Sequence, residues 1–390
     1  MKQHLCLALL IASSLLSQSS YADQNIDRLK EIVNINSGSA NIKGVTAVQE
    51  KIKPWFEELG FKVELKKNPK GDTVSAPMLI ANFAGEKPET ITFIMHADTV
   101  FEIFAPFQEW KMKDKHAMGG PGVIDDKGGI IVTLQALKDY IDSSPKKLPK
   151  YSLRVEVTPN EEVGADGWED TFKDMSKNSF MALGMEPSVK GGIVEGRKGN
   201  LWFLIEVKGK EAHAGVDHKS GINACHILSN RINQIQKLTD YNKNVTVSIG
   251  HIEGGQDKFN IVCGWAKAKL DTRFPDAHAR DELKKKIMKI LDDPAIKVTI
   301  ADETGALATN EKSKPYVKKY IETIAKIEGK RPLSYVSGGV GDANHFSRDG
   351  IIIIDGLGPV GADMHTVEEH VDLRSLDSRA KILTTFLMGL

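Results

Sequence analysis

The segment TITFIMHAD (residues 90–98) is an apolar run that ends in a histidine and an aspartate, and YSLRVEVTPNEE (residues 151–162) ends in two glutamates. Both runs have the length and composition of strands in the interior of a sheet. Further polar residues follow apolar or glycine-rich stretches at Asp125, Glu186 and His365. Because the carboxyl ends of parallel strands meet at one edge of a sheet, this order predicts an α/β domain with a site at that edge.

The pattern of strands and helices divides the chain into two predicted domains. Strand, polar cluster and helix alternate through residues 23–195 and return in residues 307–390, which is typical of a domain with a mostly parallel sheet. Residues 196–306 interrupt this order and contain no metal-ligand cluster apart from His213. Their predicted strands are Leu201–Lys208, Asn244–Gly250 and Ala266–Phe274, and their predicted helices are Ile222–Leu238 and Ala279–Leu291. We therefore expect an α/β catalytic domain that carries an inserted α+β domain.

The first 22 residues have the features of a secretory signal peptide. Lys2 gives a positive amino-terminal region, Leu5–Leu16 an apolar region, and Tyr21-Ala22 precedes a cleavage site before Asp23. The apolar region is too short to span a bilayer, and no later run approaches the roughly 20 apolar residues that a membrane helix needs. We therefore expect an exported protein, either periplasmic or secreted, without a membrane partner.

Composition argues against several classes of partner. The chain has 52 basic and 52 acidic residues and is formally neutral, so it has no basic excess that would favour nucleic acid or an anionic membrane. Of its three cysteines, Cys6 lies in the predicted signal peptide, which leaves Cys225 and Cys263. A disulfide between them is possible in an oxidising compartment, but two separate buried thiols are the simpler interpretation.

The donor types of the polar clusters indicate a divalent cation. The clusters offer two imidazoles and several carboxylates without a cysteine, a set that suits hard-to-borderline ions such as Zn²⁺. One ligand from each of five clusters is too many for a single catalytic zinc, which takes three protein ligands and a water. If one carboxylate binds two ions at once, the five ligands together give each ion three protein contacts. The count therefore predicts a two-metal hydrolase.

Individual clusters leave alternatives open. His96 and Asp98 lie on one face of an extended segment, so Asp98 could orient a metal-bound imidazole, but a structural histidine would give the same pattern. Of the adjacent carboxylates Glu161 and Glu162, one could bind metal while the other acts on a water, although an acidic helix cap is the alternative. The glycine-rich stretch around Asp125 would bring an aspartate into a crowded site, or else form a tight turn with solvated side chains.

Seven motifs in order give the mature chain its resemblance to a known family. They are MHADTVF (95–101), GGPGVIDDKGG (119–129), TPNEEVG (158–164), MEPS (185–188), EAHAG (211–215), GGVGDANHF (338–346) and MHTVEEHVD (364–372). Through them the chain resembles the dizinc exopeptidases and deacylases, a family that includes glutamate carboxypeptidase, peptidase T, aminoacylase and succinyl-diaminopimelate desuccinylase. The GPGVIDDKGG stretch is most similar to the glutamate carboxypeptidase branch.

This resemblance implies a role for each matching residue of the catalytic domain. One zinc ion would be held by His96, Asp125 and Glu186, and the other by Asp125, Glu162 and His365. Asp125 would bridge the two ions and be followed by a cis peptide bond. The general base would be Glu161, and Asp98 would support His96 as its hydrogen-bonding partner.

The resemblance also implies roles in the inserted domain, which would be a ferredoxin-like dimerisation domain. His213 would reach the active site of the other subunit in a homodimer and stabilise the oxyanion. Arg273 and Asn260 would bind the substrate carboxylate or nearby polar groups, although a surface salt bridge is the alternative for Arg273. The loop Gly338–Asp342 matches an active-site loop. The family often has Glu-Tyr where this chain has Glu369-His370. The residue that recognises the substrate side chain has no match, so the preferred side chain stays open.

These inferences together predict a zinc-dependent exopeptidase that cleaves an amide beside a carboxyl-terminal amino acid. An N-acyl amino acid deacylase, or a dipeptidase or tripeptidase, would share the metal ligands and differ in the substrate pocket. Two other classes make different predictions. A non-catalytic binding module would be expected to have lost Glu161, which is present, and a single-metal enzyme would bind one zinc ion per chain.

Overall fold

The structure is a computed structural model that describes residues 24–347 and 350–390. The predicted signal peptide, residues 1–22, lies outside the described residues. Within the described part of the chain, no helix combines the length and apolar character needed to cross a membrane. The chain divides into two compact units. The first contains the described part of residues 1–195 with residues 309–335 and 350–390, and the second contains Gly196–Ala308 with Val336–Ser347.

Eight α-helices lie in the described residues, six in the first unit and two in the second. They are α1 (24–33), α2 (Ile42–Glu58), α3 (Lys127–Ser143), α4 (Glu169–Lys177), α5 (Ala224–Gln236), α6 (Ala277–Ile290), α7 (Lys314–Glu328) and α8 (Leu373–Met388), of which α5 and α6 belong to the second unit. Asparagine or aspartate caps several of them; Asn41, for example, accepts the backbone N–H of Gly44 at the start of α2.

The central sheet of the first unit has six strands in the order β1-β2-β6-β3-β7-β15. They are β1 (Lys62–Lys66), β2 (Met78–Phe83), β3 (Lys87–His96), β6 (Tyr151–Thr158), β7 (Ser179–Gly184) and β15 (Ile352–Ile354). The last four pair in parallel, whereas β1 and β2 pair antiparallel with their neighbours. The second half of β3 is buried on both faces, as expected for a strand with helices on either side of its sheet. The predicted α/β class with a largely parallel sheet is confirmed.

Two glycines, one in α3 and one in the loop before it, allow the helix to approach the sheet closely beside the site. A Cβ atom on Gly129 would collide with the carboxylate of Asp126 and the carbonyl oxygen of Met185. Gly122, in the loop before α3, has φ +72°, and a Cβ there would lie 2.6 Å from the Thr99 side chain. The run of glycines therefore brings Asp125 close to the ends of β3 and β7.

Two small sheets accompany the central sheet. One consists of β4 (Lys111–Met112), β5 (Ala117–Gly119), β16 (Gly361–Ala362) and β17 (His370–Asp372), in the order β16-β17-β5-β4. The other consists of β8 (Ile193–Arg197), β13 (Leu307–Ala308) and β14 (Ser334–Ser337) around a central β8. In the first of these sheets, the pairing of β17 with β5 brings the segment after His365 beside the glycine-rich loop.

The second unit folds around one antiparallel sheet with two helices. Its strands are β9 (Gly199–Lys208), β10 (Thr246–Gly254), β11 (Trp265–Phe274) and β12 (Ile296–Thr304), in the order β10-β11-β9-β12. Alternate residues of β9 and β11 point into a core that α5 and α6 cover with Leu228, Leu283 and Ile287. The order β9-α5-β10-β11-α6-β12 is the ferredoxin-like arrangement that the resemblance implies.

Some details differ from the sequence predictions. The strand β12 and the helix α8 have no counterpart among the predicted elements, and residues 307–308 and 336–347 group with the second unit rather than with the catalytic part at 307–390. Leu307 pairs with Arg197, and the side-chain amide of Asn344 donates to the carbonyls of Lys198 and Gly305, which explains this grouping.

The interpretation of the two cysteines as separate thiols is wrong. Cys225 and Cys263 form a disulfide, with Cα atoms 5.8 Å apart. Neither residue is fully buried. The pairing needed the tertiary structure, because the two cysteines lie 38 positions apart in the sequence, with most of α5 and the whole of β10 between them.

Candidate metal centre

The carboxyl edge of the parallel strands collects the predicted ligands of the first unit. His96 is the last residue of β3, and Glu162 and Glu186 follow β6 and β7. Asp125 lies directly before α3, and His365 lies in the turn between β16 and β17. The fold therefore brings together five side chains that span residues 96 to 365.

The first group of donors is formed by His96, Asp125 and Glu186. The Nε2 atom of His96 lies 3.1 Å from Oδ1 of Asp125 and 3.8 Å from Oε1 of Glu186. One donor atom from each of the three residues lies within 4.8 Å of the others. His96 is fully buried and Asp125 nearly so, so these donors converge away from bulk water.

The second group is formed by Asp125, Glu162 and His365. The Nε2 atom of His365 lies 3.2 Å from Oδ2 of Asp125 and 3.3 Å from Oε2 of Glu162. Asp125 thus presents one carboxylate oxygen to each histidine, an orientation that suits a carboxylate that bridges two cations. The side chain of His365 is 54% exposed, so this side of the centre is open to solvent.

Glu161 lies beside both groups. Its carboxylate, an imidazole nitrogen of His96 and a carboxylate oxygen of Glu162 lie within 4.8 Å of one another. Glu161 and Glu162 begin a short 3-10 helix after β6. Adjacent residues in this conformation diverge, so the two carboxylates approach the centre from different directions.

Asp98 fixes the position of three other parts of the centre. Its carboxylate accepts the backbone N–H groups of Glu161 and Glu162 at 3.0 and 3.2 Å, and the hydroxyl of Ser39 at 2.6 Å. The same carboxylate lies 3.4 Å from Nδ1 of His96. Asp98 therefore orients the imidazole and also anchors the turn that carries the two glutamates.

Glu369 is a residue of the centre that sequence reasoning missed as a functional group. Its buried carboxylate accepts backbone N–H groups from Gly122, Ile124 and Asp125 at 3.1, 3.1 and 3.3 Å. The peptide bond between Asp125 and Asp126 is cis, as the resemblance implies. Glu369 therefore holds the backbone on which Asp125 is presented, and no spacing in the sequence indicates this because its partners lie more than 240 residues away.

Lys127 is a second buried charge that the sequence did not indicate. Its ammonium group donates to the carbonyls of Ile35 and Pro121 at 3.2 and 3.3 Å. Burial lowers the pKa of Lys127 to about 7, and burial raises the pKa of Glu369 to about 7. Both side chains support the glycine-rich loop.

The electrostatics of the donors fit a cation. Hydrogen bonds to Asp125 and Glu162 raise the pKa of His365 to about 10. Burial lowers the pKa of His96, but hydrogen bonds to Asp125 and Asp98 outweigh it and leave the pKa well above its usual value. Burial raises the pKa of Glu162. Carboxylates that converge in a buried space need positive charge, and divalent cations between these nitrogen and oxygen donors would supply it in place of protons. The residues therefore fit a metal centre.

The remaining predicted site residues belong to the second unit. His213 is exposed, and its Nδ1 accepts the backbone N–H groups of Gly215 and Val216 at 3.2 and 3.1 Å. An Nδ1 atom that accepts leaves the proton on Nε2, so His213 presents a hydrogen-bond donor outwards. Asn260 lies on the neighbouring segment, where its carbonyl accepts the backbone N–H of Ala214 at 2.9 Å.

Arg273 lies on β11. It forms a salt bridge, which the sequence left open as the alternative to binding the substrate carboxylate. Its Nε lies 3.1 Å from the carboxylate of Asp271, which also accepts the indole N–H of Trp202 at 2.6 Å. The guanidinium is thus held by one edge. This contact is compatible with the ligand role implied by the resemblance, because a guanidinium has five N–H donors.

Comparisons with known proteins agree with this architecture. Residues 195–299 match the model of the peptidase dimerisation domain of the M20 family. The chain is 26% identical to carboxypeptidase G2 of Pseudomonas sp. (strain RS-16), over 94% of this chain and 89% of that protein. It is also 26% identical to succinyl-diaminopimelate desuccinylase of Orientia tsutsugamushi (strain Boryong), over 93% of this chain and 96% of that protein. A crystal structure of an M20 family metallo-carboxypeptidase from Sulfolobus solfataricus superposes with a TM-score of 0.76 at 20% identity, covering 93% of this chain and 98% of that one.

Proposed function

We propose that this chain is a metallopeptidase of the M20 type that uses two zinc ions to hydrolyse an amide bond beside a carboxyl-terminal amino acid. The observation that carries the proposal is the orientation of Asp125. Its two carboxylate oxygens lie 3.1 and 3.2 Å from the imidazoles of the first and the second group of donors, which we call the two triads. Each triad supplies the three protein ligands that a catalytic zinc takes.

Glu161 is the general base in this proposal. Two bound cations supply Lewis acidity, which polarises the scissile carbonyl and makes a water at the centre more acidic. Glu161 then accepts the proton of that water and delivers it to the leaving nitrogen. Asp98 keeps Glu161 in place through the backbone N–H that it accepts.

Two residues of the second unit act on the substrate. The Nε2–H of His213 donates to the oxyanion, in the active site of the partner subunit of a homodimer, as in the dimeric relatives that the sequence resembles. Arg273 binds the free carboxylate of the substrate, since a planar guanidinium matches a carboxylate. Asn260 contributes a further polar contact. The match to a peptidase dimerisation domain supports the homodimer.

Deacylation of an N-acyl amino acid is the second candidate. The similarity to succinyl-diaminopimelate desuccinylase over 93% of the chain favours it. Both reactions cleave an amide and would use the same ligands and the same base, so they differ only in which side of the bond the pocket recognises.

A substrate panel separates these candidates. The purified, zinc-loaded enzyme would be assayed with folyl-glutamate, N-acetylated and N-succinylated amino acids, dipeptides and tripeptides. The proposal predicts release of a carboxyl-terminal amino acid. Cleavage of tripeptides only from the amino end would contradict it, and turnover limited to acyl-amino acids would favour the deacylase. We also propose export to the periplasm or medium, which fractionation of cells that express the full chain would test.

A further inference from the structure

Two connecting segments of the second unit carry two of its proposed site residues, His213 and Asn260. We call residues 209–223, between β9 and α5, the histidine segment, and residues 255–264, between β10 and β11, the asparagine segment. The first contains His213 and the second contains Asn260. Neither segment has a regular helix or strand longer than a few residues, so its geometry depends on specific contacts.

Backbone hydrogen bonds join the two segments as a short ribbon. The N–H of Ala214 donates to the carbonyl of Asn260, and the N–H of Val262 donates to the carbonyl of Ala212, both at 2.9 Å. His213 and Ile261 pair across the ribbon as an antiparallel bridge. A change in the distance between the segments would therefore move His213 and Asn260 relative to each other.

Little apolar packing supports this ribbon. His213 and Asn260 are exposed, and so are Val216 at 85% and Phe259 at 108% of the surface that each side chain can expose. Val262 is buried but is not part of the apolar core of the second unit. An isolated ribbon of two short strands is marginally stable in water, so another constraint has to hold this one.

The disulfide is the covalent part of that constraint, beside further hydrogen bonds between the two segments. Cys225 is in the first turn of α5, directly after the histidine segment, and Cys263 belongs to the asparagine segment, two residues before β11. Beside the bond, the N–H of Ala224 donates to the carbonyl of Cys263 at 2.8 Å. The following helix and strand are anchored in the core through Leu228 and Ala266. The disulfide thus ties both segments to the packed part of the unit.

We propose that the Cys225–Cys263 disulfide is a positioning element for catalysis, which holds His213 and Asn260 at the spacing that the reaction requires. This inference rests on the proposed function, in which His213 donates to the oxyanion. Since the disulfide acts through the two segments and touches no reacting atom, its removal lowers turnover without removing metal.

The test measures kcat of the wild type and of the double variant Cys225→Ala/Cys263→Ala. Each protein is assayed before and after treatment with a water-soluble phosphine. The phosphine breaks the S–S bond and yields two thiols, while water supplies their two protons and the oxygen of the phosphine oxide. We expect kcat of the oxidised wild type to fall on the order of tenfold to a hundredfold on reduction, because small displacements of positioned groups have such effects. The double variant should have the low kcat from the start and not respond to the phosphine, which controls for any effect of the reagent on the metal.

Reduction of the disulfide in the His213→Ala variant distinguishes positioning of His213 from general stabilisation of the fold. If the disulfide acts through His213, reduction of His213→Ala lowers kcat by less than about twofold, and metal content and far-ultraviolet circular dichroism stay unchanged. An unchanged kcat after reduction of the wild type overturns the proposal. An equally large loss in the His213→Ala/Asn260→Ala double variant overturns it too, because the disulfide would then act elsewhere.

Amide hydrogen exchange tests the role of the disulfide without relying on catalytic activity. Reduction should accelerate hydrogen exchange at the amides of Ala214 and Val262, which bond across the ribbon, and leave the amides of β9 unchanged. Unchanged exchange at both amides overturns the positioning role even if the enzyme is active. Accelerated exchange in a protein that cleaves no amide substrate would leave the ribbon constraint intact and refute the proposed function.

Discussion

Asp125 is the residue on which the chemistry of the centre depends. Its carboxylate lies 3.1 Å from His96 and 3.2 Å from His365, although burial alone would raise its pKa. Hydrogen bonds from the two imidazoles outweigh burial and keep its pKa below the usual value. Asp125 is therefore ionised, and it is the residue that the two triads share.

The neighbouring glutamates allow a matched pair of substitutions. Glu161→Gln should lower kcat by about a hundredfold to ten-thousandfold and leave metal content near that of the wild type, because it removes a base and no ligand. Glu162→Gln should lose metal, because it removes a donor of the second triad. Elemental analysis and steady-state kinetics on both variants check this. Glu161→Gln with wild-type turnover would refute its role as the base.

The raised pKa values of the histidines predict that metal binding releases protons. In the metal-free protein at pH 7, His365, with a pKa of about 10, is protonated, and so is His96, whose pKa is well above its usual value. A metal must displace both protons, so loading should release about two protons per chain and weaken as the pH falls. Calorimetric titration with zinc in buffers of different ionisation enthalpy measures this number. The same heat in every buffer would contradict the prediction.

At the scale of elements, the centre depends on how strand ends and loops are tied together. Asp98, just after β3, accepts two backbone N–H groups from the turn that follows β6. Asp98→Ala should therefore weaken zinc binding about tenfold to a hundredfold, as removal of a supporting carboxylate typically does. Ser39→Ala is the control, since it removes one hydrogen bond to Asp98 and should have a smaller effect. Equal zinc affinities for Asp98→Ala and the wild type would count against this role.

Glu369 ties the segment before β17 to the loop before α3. Glu369→Ala leaves three backbone N–H groups without their acceptor and should lower the free energy of unfolding by about 2–3 kcal/mol. Glu368→Ala is a matched control, because Glu368 is exposed and solvent screens its ion pair with Lys113. Urea unfolding of the metal-free proteins measures both. Similar losses for the two variants would show that the buried contacts of Glu369 do not stabilise the loop.

The ligand-bearing strands were predictable from the sequence and the supporting residues were not, for a physical reason. His96 follows a continuous apolar run and Glu162 follows the strand-like segment YSLRVEVT, and both are local patterns that can be recognised without the neighbours in the fold. Glu369 and Lys127 act on backbone groups that only the folded chain brings near. The strand β12 was missed because its apolar alternation covers only Ile296 to Ile300; it lies at the sheet edge, and more than half of its residues are exposed.

At the scale of the whole molecule, the insertion was recognised because the pattern of elements changes at residue 196. Its boundaries were less predictable. Residues 336–347 follow α7 of the first unit in sequence, yet Asn344 bonds to the backbone of the second unit. The four positions at which the chain crosses between the units leave no mark in the composition. The disulfide was missed for a similar reason, since its cysteines are brought together only by the second unit's fold.

The proposed homodimer is testable at this scale. The match of residues 195–299 to a peptidase dimerisation domain and the proposed role of His213 both predict a dimer in solution. Co-expression of Glu161→Gln and His213→Ala chains should give hybrid dimers with about half of the wild-type activity, because one of the two sites regains both groups. Light scattering that shows a monomer, or hybrids as inactive as the parents, would contradict the cross-subunit arrangement.

The most direct measurement is anomalous diffraction at the zinc edge from crystals grown with zinc. A two-metal centre predicts two peaks about 3.5–4 Å apart on either side of the Asp125 carboxylate, one next to His96 and one next to His365. A single peak, or none within bonding distance of Asp125, would contradict it.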